Sequence, residues 1–263
     1  MKDNLRFDFG ENWLNFANKI DQSRLEVMVS SLKIGLDASD LRGNTFLDIG
    51  CGSGLSSLAA INLGADLVVS FDYDPKSVEA SMALREQFKI PTERWQIFQG
   101  DILAEETLLS LRKFDIVYSW GVLHHTGDMW RAIENASSLI LDNGLFLVAL
   151  YNDQGILSTY WSVVKKIYNQ IPSLRPILRL VFCTYFCLGY LVKDSLRLVN
   201  PLRRYSGMDR RGMSILNDIT DWIGGYPFEV VSPESLKLRL SDLNLELVRE
   251  RLVGHKHGCN EFT

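Results

Sequence analysis

Along this chain the spacing of apolar and polar positions changes repeatedly, and each change marks an element. Between residues 9 and 36, Trp13, Phe16, Ile20, Leu25, Met28 and Leu32 recur at helical spacing and predict one or two amphipathic helices. Short apolar runs follow, each bounded by glycine, proline or acidic residues. They predict strands at Thr45–Asp48, Leu67–Phe71, Trp95–Phe98, Phe114–Trp120 and Gly144–Tyr151. Helical patterns lie between them, from Leu55, from Pro75 to Phe88 and over Trp130–Leu141. Pro75 suits a first helical turn, where its missing N–H goes unneeded. Strands alternating with helices imply an α/β fold with a parallel, doubly wound sheet. A sixth strand, parallel to the others, is read at Leu245–Leu252.

A different pattern interrupts this alternation at 152–232. Ile156–Tyr168 is aromatic and helical, and Pro176–Leu198 contains the uncharged run Leu180–Val192, bracketed by Arg179 and Lys193. That run of 13 residues is too short to span a bilayer, so no transmembrane segment is expected. It reads first as a buried cap helix, with a dimer interface or an interfacial segment as alternatives.

Composition narrows the function classes. A chain of 263 residues suits one large α/β domain with an insertion. Lys and Arg total 28 against 32 Asp and Glu, so there is no electrostatic footprint for general nucleic-acid binding. The four cysteines form no Cys-x-x-Cys pair and do not suggest a disulfide scaffold. A polar, acidic start, Met1-Lys2-Asp3-Asn4, carries no signal-peptide pattern, and the cytoplasm is the expected location.

The candidate chemistry begins at Phe46-Leu47-Asp48-Ile49-Gly50-Cys51-Gly52-Ser53-Gly54, a buried strand, a tight loop and a helix N-terminus in succession. Glycine lacks Cβ, so such a loop can press its backbone directly against a ligand. A dinucleotide loop would read G-x-G-x-x-G, whereas position 55 here is leucine. The segment resembles motif I of the class I S-adenosylmethionine (SAM) dependent methyltransferases. The resemblance covers 44–151 and 233–263 and is similar in kind to small-molecule methylases such as the ubiquinone-biosynthesis O-methyltransferase group.

That resemblance implies a Rossmann-like methyltransferase fold with a mostly parallel seven-stranded sheet, closed by a helix and an antiparallel strand pair whose last strand is short at Thr263, with SAM as cofactor and S-adenosylhomocysteine as product. Cofactor contacts fall on Asp48, Gly50, Cys51, Gly52 and Gly54, with Asp48 the acid near the cationic end. Asp72 closes the second strand, where a carboxylate can accept both ribose hydroxyls; the bland alternative is a helix N-terminal acid, a role Asp74 fits better. Tyr73 packs against adenine, Asp101 accepts from its amine and Ile102 covers a ring face. Trp120 and Gly121 line the methionine side. In Gly121-Val122-Leu123-His124-His125, His125 matches the family's recurring histidine, either a general base for an acceptor hydroxyl or a loop-orienting residue.

The organisation expected is N-terminal helices capping the active site (1–43), a SAM-binding core (44–151), a helical acceptor-binding insertion (152–232) and the closing helix and strands (233–263). Tyr160, Arg204 and Tyr226 of the insertion, with His255 and His257 near the end, are the candidate acceptor contacts. No metal is expected. The acceptor is read as a small molecule, lipophilic or anionic, methylated at a hydroxyl or amine, and a homodimer is compatible with the pattern. The alternatives are a methyltransferase acting on RNA or protein, with the arginines around Arg204 as a dock, and a SAM-binding partner subunit that catalyses nothing.

Overall fold

The computed structural model describes residues 6–7, 9–17, 20–198, 200, 215–254 and 258–263. The chain forms two compact units. One comprises Asp8–Gln154 and Glu229–Thr263; the other comprises Met1–Phe7 and Gly155–Phe228.

The first unit is built on a seven-stranded sheet. Its central strand β1 (Thr45–Ile49) is buried from Phe46 onward, as a parallel strand covered on both faces must be. β2 (Leu67–Asp72), β3 (Trp95–Gln99), β4 (Phe114–Trp120), β5 (Ile140–Tyr151), β6 (Glu250–Arg251) and β7 (Cys259–Phe262) complete it. The order is β3-β2-β1-β4-β5-β7-β6. The first five strands are parallel, and β7 runs antiparallel to both β5 and β6. β6 therefore has the direction expected for Leu245–Leu252 but is shorter, Glu250–Arg251, with Arg249 exchanging backbone hydrogen bonds with Thr263 just before it. β5 begins at Ile140, four residues before the expected Gly144, because polar Asp142-Asn143 interrupts its apolar pattern without ending the ladder.

Helices cover both faces. α1 (Gly10–Ala17), α2 (Gln22–Leu36), α3 (Leu55–Asn62), α4 (Pro75–Gln87), α5 (Glu105–Leu109) and α6 (Met129–Ser138) precede or link the parallel strands, and a closing helix spans Pro233–Asp242. Asp21, Asp74, Asp128 and Ser232 cap their helices by accepting backbone N–H groups from Arg24, Lys76, Arg131 and Ser235. On one face Leu47, Val69, Val117 and Val148 pack with Ile133 and Ala136 of α6 and Leu236 of the closing helix. On the other, Gly35 lets α2 settle on β5, since a Cβ there would lie 2.7 Å from Leu147 Cδ1. The Thr263 hydroxyl donates to the Gly35 carbonyl at 2.7 Å, tying the end of the chain to the same helix.

The second unit contains α7 (Ile156–Gln170), α8 (Arg175–Leu196) and α9 (Ile215–Gly224); numbered in chain order, the closing helix Pro233–Asp242 is α10. The core of this unit is Trp161, Val164, Tyr168, Phe182, Ile219 and Ile223. The Leu180–Val192 run is not the buried cap helix expected. It lies within a 22-residue helix whose outer face is open, with Leu180 71% exposed. The segment Pro172–Leu196 is long and apolar enough to cross a bilayer by length and composition, which corrects the expectation drawn from the shorter run. Arg179 and Lys193, taken as the ends of that run, stand inside the helix, because neither residue opposes helix propagation.

Candidate functional site

Strand order reverses between β1 and β4, and the crevice at the carboxyl ends of strands beside such a reversal is where open α/β sheets bind ligands. The glycine loop after β1 sits there. Gly50 has φ 76° and Gly52 φ 54°, left-handed values that a side chain would strain. Space is also lacking. A Cβ on Gly50 would lie 2.4 Å from Val122 Cγ1, and one on Gly52 would lie 3.1 Å from the Trp13 indole. Val122 and Trp13 thus lie on the loop. The sequence marks Trp13 only as a helix-face position, and Val122 stands in the segment after the fourth strand without an assigned role of its own.

The loop is lashed to β2 by Gly50 and Cys51 N–H groups donating to the Phe71 carbonyl at 2.8 and 3.1 Å. Cys51 contributes backbone alone, for its thiol is buried beneath the Ser81 hydroxyl at 3.3 Å, and burial pushes that thiol well up. Asp72 finishes the pinning. Its Oδ2 accepts from Gly52 N–H and its Oδ1 from Asp74 N–H, each at 2.9 Å. Burial pushes its carboxyl up to about 6, against the opposing pull of these backbone donors. Each carboxylate oxygen retains further acceptor capacity, so pinning the loop and accepting ribose hydroxyls are compatible.

Asp48 lies elsewhere than expected. It is 2% exposed, under the loop and not at its rim. The Ser57 hydroxyl donates to Asp48 Oδ2 at 2.5 Å, Ser57 and Ser70 hydroxyls are 2.7 Å apart, and Trp95 Nε1 donates to Ser70 at 2.8 Å. Desolvation, with a smaller contribution from the Asp72 charge, raises its carboxyl to about 7. Any influence on a cationic ligand is exerted through the loop, because the side chain does not reach the crevice surface.

Beyond Asp72, a cleft of about 330 Å³ is lined by Tyr73, Phe98, Gln99, Gly100, Asp101 and Glu106. Tyr73 and Asp101 stand together here, as the sequence suggested. Asp101 also accepts from Leu103 N–H at 2.9 Å. Ile102, expected to cover a ring face, is 3% exposed and belongs to the core under the sheet. Alternation past the strand end turns it inward.

At the end of β4, Trp120 Nε1 donates to Glu261 Oε1 at 3.2 Å, which holds the indole toward β7. Gly121 has φ 76° and open space where a Cβ would stand. The 3-10 turn Leu123–His125 follows. His124 is buried, 4.0 Å ring to ring from Tyr151, while the half-buried His125 lies 5.2 Å from Phe9 and 5.4 Å edge-on from Tyr151. Glu229 braces this turn from 100 residues away. Its N–H donates to the His124 carbonyl at 3.0 Å, and its carboxylate accepts from Met129 N–H at 3.1 Å. Burial raises the Glu229 carboxyl. No local spacing signals this brace. The N-terminal segment approaches from the other side, where Gly10 N–H donates to Asp74 Oδ2 at 2.7 Å.

The remaining candidates belong to the other unit or lie outside the described residues. Tyr160, 49% exposed, and Tyr226 belong to the helical unit. Trp222 and Phe228, near Tyr226, pack around the buried Lys165, whose Nζ lies 4.3 and 4.7 Å from their rings and donates to the Trp222 carbonyl. Arg204, its neighbouring arginines Arg203, Arg210 and Arg211, and both His255 and His257 lie outside the described residues.

Comparison with known proteins agrees with this geometry. A methyltransferase-domain family model matches residues 47–146. The ribosomal protein L11 methyltransferase of Tolumonas auensis is 38% identical over 149 residues, 54% of this chain and 44% of that protein. The ubiquinone biosynthesis O-methyltransferase of Pelagibacter ubique is 30% identical over 129 residues, 48% of this chain and 50% of that one. The chain thus spans about half the length, or less, of these curated relatives. Among solved structures, magnesium protoporphyrin IX methyltransferase from Synechocystis PCC 6803 with bound S-adenosylhomocysteine has the same fold, with TM-score 0.52 at 16% identity over 90% of this chain and 82% of that one. Residues 47–146, which include the glycine loop, thus match a methyltransferase domain in sequence, and the chain shares the methyltransferase fold.

Proposed function

We infer that this chain transfers the methyl group of SAM to a hydroxyl, or an amine, of a small-molecule acceptor. The observation that carries the cofactor half is the arrangement around Asp72. One carboxylate pins the positive-φ glycine loop through Gly52 and stands beside the Tyr73–Asp101 cleft. That geometry fits a nucleoside, with ribose at Asp72 and the base between Tyr73 and Asp101. SAM supplies an activated methyl group on a sulfonium cation. Asp48 and Asp72 place negative charge under and beside the site when ionised, which favours a cation over a neutral ligand. Val122 and Trp13 lie against the loop at Gly50 and Gly52.

His125 is the residue proposed to take a proton from an acceptor hydroxyl. The turn that carries it is held by the Glu229 brace, so its position is fixed by the fold before any acceptor arrives. An amine acceptor would need this base less. The helical unit, with Tyr160 and Tyr226, is proposed to recognise the acceptor.

A protein acceptor is the second reading, favoured by the identity to enzymes named for ribosomal protein L11. Calorimetric titration with SAM and S-adenosylhomocysteine, followed by a methyl-transfer screen against phenols, amines, sugars, RNA and ribosomal protein, separates the readings. Turnover on a small hydroxylated compound supports the proposal, and turnover on ribosomal protein alone replaces it with the second. Binding without turnover on any pool favours a non-catalytic partner subunit. Absence of SAM binding refutes the cofactor assignment.

A further inference from the structure

The outward face of α8 is inverted relative to an ordinary surface helix. Ile177, Leu180, Val181, Tyr185, Leu188 and Val192 share one helical face, recurring at i, i+3, i+4, i+8, i+11 and i+15, and each is between 53 and 71% exposed. Of the 25-residue segment Pro172–Leu196, only 6% of its most apolar window is buried. Isolated exposed leucines are ordinary, but a continuous stripe about 22 Å long on a single helix marks an interaction surface.

The inner face explains why the helix does not simply cross a bilayer alone. Phe182 and Phe186 lie 5.2 and 6.0 Å from Trp161 of α7, and Asp194 is buried on the same side. α8 is therefore one wall of the helical unit, with its other wall facing out.

Charge decides what that wall meets. Arg175 and Arg179 stand at the start of α8, with Lys193 at its end and Arg197 just after it; the only acid among residues 175–197 is the inward Asp194. These residues sum to +3 in a chain whose net charge is −4, which leaves −7 elsewhere. Both ends of the stripe are basic. Two copies packed face to face, parallel or antiparallel, would set cation against cation at each end, and like charges across an interface oppose pairing. An anionic bilayer surface answers both features together. Its acyl boundary accepts the apolar stripe, and its headgroups meet Arg179 at one end and Lys193 and Arg197 at the other, while Arg175 is turned onto α7, donating to the Tyr168 and Asn169 carbonyls.

We propose that α8 docks this protein peripherally on anionic lipid membranes, with the Ile177–Val192 stripe inserted at the level of the acyl boundary. This docking is independent of the acceptor's identity. The test is flotation of the full chain with vesicles of phosphatidylcholine alone or mixed equally with phosphatidylglycerol, for the wild type and for a Leu180→Glu/Leu188→Glu variant. The wild type should float with the mixed vesicles, more weakly with phosphatidylcholine alone, and added salt should weaken the binding without abolishing it. The variant should bind at least about tenfold more weakly, because two apolar contacts become charges in the acyl boundary.

Unchanged circular dichroism and SAM affinity in the variant ensure that lost flotation is not lost folding; if the double variant fails to fold, Leu188→Ser alone serves the same comparison. Three outcomes overturn the proposal. One is no vesicle binding by the wild type. Another is equal binding by wild type and variant. The last is a wild-type dimer, by light scattering, that the variant abolishes without any vesicle binding, which would make the stripe an interface between copies.

Discussion

Asp48→Asn isolates the energetic cost of a carboxylate buried beneath a glycine loop. Asp48 is 2% exposed, and the Ser57 hydroxyl donates to it at 2.5 Å. Its carboxyl is raised from 3.8 to about 7, chiefly by desolvation. That difference corresponds to roughly 4 kcal/mol. Because the folded-state value is raised, the stabilising contribution of the protonated form is full below about pH 3.8 and is lost as pH climbs to about 7. Asparagine is nearly isosteric with the protonated acid and still accepts from Ser57, but it does not titrate. Urea unfolding of both proteins across this range, compared as a difference, cancels the other titrating groups. The stability of Asp48→Asn relative to wild type should rise by roughly 4 kcal/mol from about pH 4 to about pH 7.5, then level off. A constant offset at every pH would come from the amide's altered hydrogen bonds and is harmless to the reasoning. A difference that stays flat within about 1 kcal/mol would refute it, showing that Asp48 is solvated or already ionised in the folded chain.

Other outcomes follow from the same site. Asp72→Ala should weaken SAM binding by about 1.5–3 kcal/mol, the scale of charge-assisted hydrogen bonds, and undiminished calorimetric affinity would remove the ribose assignment. SAM affinity should rise with pH as carboxyls raised to about 6 and 7 ionise toward a cation, and a pH-independent affinity would show that neither charge is felt. Gly50→Ala should lower both melting temperature and SAM affinity through its φ of 76° and its 2.4 Å approach to Val122; Val122→Ala in the same chain should restore part of the loss, and no recovery would exclude the clash as the cause. His125→Ala should reduce turnover while leaving SAM affinity nearly intact, and unchanged turnover would leave the histidine an orienting role only.

Local pattern alone determined the parallel α/β sheet, because each of β1 to β5 is a short apolar run whose period contrasts with the helices around it. The positions of the glycine loop, Asp72 and the Tyr73–Asp101 pair were legible for a related reason: each stands at or just past the end of a strand, so chain order fixes where it falls. Residues whose partners are distant in sequence were not legible. Glu229 braces the His124 turn across 100 residues, Trp13 rests on Gly52 from another helix, and no spacing encodes either contact. Asp48 and Ile102 were placed on the ligand side by motif alone, whereas packing turned both inward. The same limit applies to α8. Its apolar run reads identically whether a helix is enclosed or open, since hydrophobicity states how much surface seeks cover, while only the arrangement of α7 and α9 decides which face receives it.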